Sequence, residues 1–248
     1  MELHWSISEG DVAAVVSIVE RMSANPFVMR RISDNLEARG KVNRAELWHC
    51  MVSTRLTSAQ RSGPESPVTM FVNARPFALN YEATRAATRP AEAIAAALRA
   101  HGGIRFADRI GRDLEANLAT LEAGGWSTTL DVCNGLIGCD DRGGEKLAAS
   151  HIDEFVGFGS KQARNLLQQL GLIKYEIPID SRLSAWLRDF GFPVPLSAPA
   201  LGDPAFYQFV LDVIVELCAR AGVYPCVFDA AVFASRDEDG WTEGNATN

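Results

Sequence analysis

Strand signals are nearly absent from this sequence, and so are the marks of a membrane, secreted or metal-bound protein. No uninterrupted apolar stretch approaches the ~20 residues that a membrane span needs. The segment from Met1 to Asp11 carries Glu2 and Glu9 and has neither the basic nor the apolar region of a secretory leader. Cys50, Cys133, Cys139, Cys218 and Cys226 are an odd number in a chain too large to need disulfides, and no two of them form C-x-x-C. The expectation is a soluble, cytoplasmic protein with reduced thiols, no metal and no cofactor.

A basic surplus is missing as well. A formal charge of −7 argues against a nucleic-acid partner, because phosphate contacts need Lys and Arg. The distribution softens that objection. Between Pro26 and Ser62, Arg30, Arg31, Arg39, Lys41, Arg44, Arg55 and Arg61 face only Asp34, Glu37 and Glu46, whereas Asp229 to Asn248 holds five acids and one Arg. A basic face on an acidic protein and an ordinary solvated helix surface both fit this pattern.

What is present is helical. With 47% apolar and 22% charged residues, the 248-residue chain buries either one large core or two lobes of roughly 100 residues each. Ser8 caps a run through Val12, Val15, Val16 and Val19, and Asn25-Pro26 is an N-cap followed by proline in the first position. Asn43 with Glu46 resembles a capping box ahead of Leu47, Trp48, Met51, Val52 and Leu56, which recur at the spacing of one buried helix face. Further helices fit Pro90 to His101, Phe106 to Glu122, Gly144 to Phe155, Ser160 to Leu170, Asp180 to Asp189, Pro204 to Ala221 and Pro225 to Ala234. Gly and Pro punctuate loops at Ser62 to Pro67, Gly102-Gly103, Gly124-Gly125, Gly135 to Gly144 and Phe192 to Pro204. The reading is an all-α protein with an N-terminal lobe over 1–125, a second lobe over 126–235, and a polar, acidic tail over 236–248 expected to be disordered. All-α folds also return their first helices onto their last, which leaves that division open.

The most informative stretch is Ile152-Asp153-Glu154-Phe155-Val156-Gly157-Phe158-Gly159-Ser160-Lys161-Gln162-Ala163-Arg164-Asn165-Leu166-Leu167. Two apolar-faced helices are joined by Val-Gly-Phe-Gly, with small Ala163 where they touch. Gly157 and Gly159 permit positive φ and a close approach, leaving amides at the start of the second helix to bind a DNA phosphate. The unit resembles the helix-hairpin-helix motif, found in polymerases, ligases, nucleases and glycosylases. Asp180 follows Lys161 by nineteen residues in Ile177-Pro178-Ile179-Asp180-Ser181-Arg182. Hairpin, lysine and aspartate at this interval resemble the base-excision glycosylases that also nick DNA, typified by the 8-oxoguanine glycosylases.

That resemblance implies a two-lobed helix-hairpin-helix DNA glycosylase fold, with Lys161 as nucleophile and Asp180 as its assisting carboxylate. Breaking an N-glycosidic bond builds positive charge on the sugar, which a carboxylate near C1′ stabilises, and a neutral amine captures C1′ as a Schiff base. The positive end of a helix dipole and desolvation under bound DNA both favour the neutral amine. Asp180 also reads as a plain N-cap for the helix beginning at Ser181.

Ser53-Thr54-Arg55-Leu56-Thr57 and the Tyr224-Pro225 to Phe228-Asp229 and Phe233 block resemble the archaeal type of 8-oxoguanine glycosylase. There the last block carries an aspartate and, four residues on, an aromatic that stacks on the extruded base. Asp229 and Phe233 match those positions, although core packing explains Phe233 equally well. The sequence departs from the family at Phe27, where a Gln follows the proline, at Val68, where a Trp stands, and at Arg182, where other glycosylases have His after Asp-x. Arg182 suits a phosphate contact.

Catalytic residues expected to be kept beside a base pocket of Phe27, Asp229 and Phe233 that has changed make 8-oxoguanine the default base. The implied partner is duplex DNA with a modified base, bound by a monomer. Two other functions fit the residues: an antiphage glycosylase excising a hypermodified base such as glucosylated hydroxymethylcytosine, and a hairpin module that binds DNA without cleaving it.

Overall fold

The computed structural model describes residues 6–37, 40–58, 60, 62–237 and 240–246, and every regular element among them is helical. Local chemistry starts the first three helices where the sequence places them. α1 (Glu9–Met22) begins at Ser8, whose hydroxyl accepts from the Asp11 amide while the Asp11 carboxylate accepts from the Ser8 amide. α2 (Pro26–Leu36) follows Asn25, whose side chain accepts from Phe27 N, with Pro26 where a missing N–H is harmless. α3 (Arg44–Leu56) has the Asn43–Glu46 reciprocal cap.

The chain continues through α4 (Pro67–Asn73), α5 (Tyr81–Ala86), α6 (Pro90–His101) and α7 (Ala107–Thr120). One π-helical turn, Leu121–Gly125, with Gly124 at φ 112°, leads into α8 (Trp126–Asn134). α9 (Arg142–Asp153), α10 (Ser160–Gln169), α11 (Ser181–Asp189), α12 (Ala198–Leu201), α13 (Pro204–Ala221) and α14 (Pro225–Ser235) follow. α4, α5, α8 and α12 were not expected. Each spans too few turns for an apolar period to register, and the glycines at 124 and 125 read as a loop where the structure makes a continuous bend. No single helix among the described residues is long and apolar enough to cross a membrane.

The buried side chains form two clusters, and these do not divide at residue 125 as expected. One runs from Val42 to Ile173 and centres on Trp48, Met51, Leu114 and Ile152. The other joins Val15, Ile18 and Val28 to residues between Ile177 and Ala234. The first two helices therefore return onto α13 and α14, while 126–173 shares its core with the preceding helices. The physical reason is where the apolar faces of α1 and α2 find cover, which no local pattern specifies.

Between the two clusters runs an irregular segment, residues 173–179, whose backbone polar groups are bound from several sides. Asn35 Nδ2 donates to Ile173 O (2.8 Å), and the Cys226 amide donates to Lys174 O (3.0 Å). The Glu145 carboxylate accepts the amides of Lys174, Tyr175 and Glu176 at 2.7, 2.9 and 2.8 Å. Tyr207 Oη donates to Ile177 O (3.1 Å) and accepts from Ile179 N (2.7 Å). Glu176, fully buried, accepts from Arg164 Nε and Nη2 at 2.9 and 2.5 Å and from Arg142 Nε at 3.0 Å.

Removing one partner of a buried pair strands the other's charge in a dry interior. Glu176→Ala leaves Arg164 in that state, while Arg142, 31% exposed, keeps Asp212, and is expected to cost about 3 to 5 kcal/mol in urea unfolding. A loss no larger than the ~1 kcal/mol typical of exposed pairs would mean that the segment is held by its backbone contacts alone.

Candidate active site

The hairpin joins α9 to α10 through residues 154–159. Asn117 of α7 grips its outer turn in both directions, donating from Nδ2 to Val156 O (3.0 Å) and accepting Val156 N at Oδ1 (2.8 Å). Beneath lies the buried Arg55–Asp113 ion pair. Gly157 sits on that pair at φ 79°, and a Cβ there would come within 2.6 Å of Arg55 Nε and 2.7 Å of Asp113 Oδ2. Its conformation and its space both demand glycine. Gly159 differs from expectation: at φ −172° it is extended backbone that any residue adopts, with only Asp153 Oδ1 near the place of a Cβ, at 3.9 Å. It is the N-cap of α10, whose first turn receives no side-chain cap, so its amides remain available to a ligand.

Lys161, second residue of α10, and Asp180 both line one cavity of about 690 Å³ bounded by residues of α2, α3, α4, α10, α11, α12 and α14. Neither hairpin glycine lines it. Asp180 is the N-cap of α11 and uses Oδ1 for that purpose, accepting from Arg182 N (2.9 Å) and Leu183 N (2.8 Å). Its other oxygen stands 3.7 Å from Arg182 Nη1, and the side chain is 14% exposed. Capping occupies one oxygen and orients the other, so the two roles do not compete.

Asp229 lies deeper in the same cavity. Its carboxylate is bonded by Gln168 Nε2 (3.1 Å), and its pKa is pushed up to about 7, first by burial and then by Asp180, against the pull of Arg31, the Gln168 hydrogen bond and Lys161. Arg31 is buried too and donates from Nη1 to Gln168 O (2.8 Å) and Asn35 Oδ1 (3.2 Å). Desolvation lowers its pKa, and Asp229 opposes that shift. The cavity thus groups the half-buried Lys161, Arg182 and Asp180 with the buried Arg31 and Asp229, and partial removal from water strengthens their pairwise electrostatics.

Phe27, Asp229 and Phe233 are brought together as expected, but with company. The Phe27 and Phe233 rings stack at 5.0 Å and 21°. Trp241 lies 4.5 Å from Phe27 and 5.9 Å from Phe233. Residues 240–246, expected to be disordered, place that indole in the cavity wall, because a lone large apolar ring in a polar tail gains more by burial than its neighbours lose. Arg182, expected at a phosphate, has its guanidinium 4.0 Å over Phe233 and donates from Nη2 to Asp237 Oδ1 (2.7 Å).

The basic stretch between Pro26 and Ser62 does not form a free face among the described residues. Arg31 and Arg55 are buried in internal bonds, and of the exposed members Arg30 pairs with Asp34 (3.1 Å), Arg44 lies over Trp126 and Lys41 is left at the surface. Arg39 and Arg61, with Glu238, Asp239 and Asn248 of the tail, lie outside the described residues. Sequence reasoning missed Arg31, Gln168 and Trp241 as cavity residues. Arg31 and Asn35, one helical turn apart on α2, and the isolated aromatic at 241 were the available signals.

No family model and no curated protein matches this sequence. Solved structures do match the fold. The 8-oxoguanine DNA glycosylase of Methanocaldococcus jannaschii superposes with a TM-score of 0.62 at 13% identity, covering 94% of this chain and 98% of its own. The 8-oxoguanine DNA glycosylase of Thermotoga maritima superposes with a TM-score of 0.62 at 15% identity, covering 93% and 100%. The chain therefore has the all-helical fold of these enzymes over nearly its whole length, at an identity that carries fold and no more.

Asp229 makes stability depend on pH. Its folded pKa lies above the ordinary 3.8, so the native state holds a proton that the unfolded chain loses as pH rises from there to about 7. Its contribution is complete at acid pH, declines across that window and is gone above it. Asp229→Asn, neutral throughout, should flatten the urea-unfolding profile between about pH 4 and about pH 7 relative to wild type. An unchanged slope would mean that the carboxylate is ionised in the folded protein.

Proposed function

We propose that the protein is a DNA glycosylase that extrudes a modified base from the duplex into this cavity and releases it, with Lys161 as nucleophile. The observation that carries the reading is the convergence of Lys161 and Asp180, from two helices on opposite sides of the 173–179 segment, on one buried cavity that also holds an acid, Asp229. A protein that only holds DNA has no need of that convergence. The fold shared with two 8-oxoguanine DNA glycosylases agrees with it.

In this reading the hairpin amides at the start of α10 and Gly157's tight turn hold the DNA backbone, and the phosphate contact falls to Arg182 once its present partners yield it. The oxygen of Asp180 that does not cap α11 stabilises positive charge developing at C1′ as the N-glycosidic bond breaks. Lys161 Nζ gives up a proton and bonds to C1′ as the base leaves with the bonding pair of the C1′–N bond and takes up a proton. Cleavage of C1′–O4′, with a proton taken up at O4′, turns the aminal into a Schiff base, and loss of a C2′ proton then expels the 3′ phosphate. Asp229, whose raised pKa lets it donate or accept near neutrality, is the polar reader of the base edge. Phe27, standing where a hydrogen-bonding side chain was expected, leaves the pocket more apolar on that side, which favours a base other than 8-oxoguanine. The antiphage alternative requires the same chemistry on a bulkier pyrimidine and differs only in the duplex that is cut.

Single-turnover base release and strand nicking, measured at fixed salt on duplexes with 8-oxoguanine and with bulky modified pyrimidines, test the proposal. Lys161→Gln should abolish nicking on whichever duplex the wild type cuts. Asp180→Asn should slow base release by about 10²- to 10³-fold with duplex affinity unchanged, the scale of losing one electrostatic group aimed at the transition state. Efficient and selective release of 8-oxoguanine opposite cytosine would restore the ordinary repair substrate. Nicking by the Lys161→Gln variant would overturn the assignment of the nucleophile.

A further inference from the structure

In the absence of DNA the aromatic part of the cavity is filled by the chain itself. Phe27 contacts Phe233 and Trp241 at 5.0 and 4.5 Å, and the Arg182 guanidinium lies 4.0 Å from the Phe233 centroid. A planar base between any of these pairs needs about 7 Å, two contact layers of about 3.5 Å each. None of the gaps admits one as they stand, so an occupant must move.

Phe27 and Phe233 belong to α2 and α14, which pack into the second core. Trp241 belongs to the segment beyond α14, whose described order is one short turn between Thr242 and Asn245–Ala246. Its seat is also incompletely satisfied. Trp241 Nε1 and Asp237 Oδ2 are buried with no hydrogen-bond partner, although the Asp237 side chain is only 2% exposed. Buried polar atoms without partners weaken the state that contains them, so this seat can be surrendered to a ligand that satisfies the site better.

The chemistry of the two seated groups identifies that ligand. Indole is a fused five- and six-membered ring, the plan of a purine. Asp237 gives the Arg182 guanidinium an anionic oxygen at 2.7 Å, the contact that a phosphate oxygen makes with arginine. We propose that Trp241 and Asp237 hold the places of a nucleotide, the indole in the base subsite beside Phe27 and Phe233 and the carboxylate at the phosphate contact of Arg182. A purine-sized extruded base and its phosphate displace both. The assignment rests on the glycosylase reading of the cavity and adds to it the ligand that the subsite accepts and the segment that guards it.

Trp241 emission, isolated in the full chain as the difference between wild type and Trp241→Phe, reports the seat directly through acrylamide quenching. Trp241 should be shielded in the protein alone and become quenchable at fixed salt when the duplex that the wild type cuts fastest, chosen from duplexes carrying 8-oxoguanine, hypoxanthine or another modified purine, is added. Asp237→Asn should raise its quenching several-fold without any DNA, and both Asp237→Asn and Trp241→Ala should release base several-fold faster than wild type in a single turnover. Trp241 that stays shielded under bound duplex, or a Trp241→Ala variant that releases base more slowly, overturns the proposal and makes the indole a wall of the pocket. A wild-type protein that neither binds nor cuts any duplex refutes the glycosylase reading by itself. The seat is then still decided by the DNA-free comparison, where unchanged quenching in Asp237→Asn contradicts it.

Discussion

The buried ion pair between Arg164 and Glu176 is the constraint on which the candidate site depends. Arg164 is one turn along α10 from Lys161, and Glu176 lies four residues before Asp180 on the connecting segment. Their bonds at 2.9 and 2.5 Å tie the helix that carries the amine to the strand of chain that carries the carboxylate. Glu145 holds the same segment by three amides, and Tyr207 fixes the backbone on both sides of Pro178. Such charges are expensive to bury, and well-packed apolar residues often replace a pair of this kind without loss. What the pair supplies is registry. Two cores that share no side-chain cluster need a polar clamp to fix their relative position, and a cavity between them is only as well defined as that clamp.

The cavity also reconciles an acidic protein with an anionic partner. Net charge governs long-range attraction, whereas the chemistry proposed here needs a few fixed charges in a dry space. Arg31 illustrates the point: it is buried, bonded through Nη1 to Gln168 O and Asn35, and lines the cavity with a fixed positive charge that Asp229 feels. The acidic C-terminal segment belongs to the same arrangement, because Asp237 neutralises Arg182 in the unliganded protein. Excess negative charge at the site mouth is tolerable when it is mobile with respect to the ligand that replaces it.

Legibility in the sequence followed the range of the interactions. Caps at Ser8, Asn25 and Asn43 and the bounds of Pro90–His101 and Pro204–Ala221 were readable because the determinants are local. Lys161, Asp180, Asp229, Phe27 and Phe233 were readable as a set through a resemblance, and all line one cavity. The lobe boundary was not, since the cover for Val15, Ile18 and Val28 comes from residues some 200 positions later, as Arg220 Nη1 bonding Ile7 O (|i−j| of 213) shows. Gly159 was misread because a glycine's φ cannot be told from its identity. The resting partners of Arg182 and the place of Trp241 were not readable for a common reason: one is set through Asp237 and the other through Phe27 and Phe233, and neither contact leaves a periodic trace.

The central claim is that Lys161 forms the covalent bond to the sugar, and mapping that bond tests it most directly. Borohydride reduction of the protein on a cleavable duplex, followed by digestion and mass spectrometry of the adduct, should place the DNA remnant on the peptide containing Lys161 and on its Nζ. An adduct on another lysine or on the terminal amine, with Lys161 unmodified, would contradict the account.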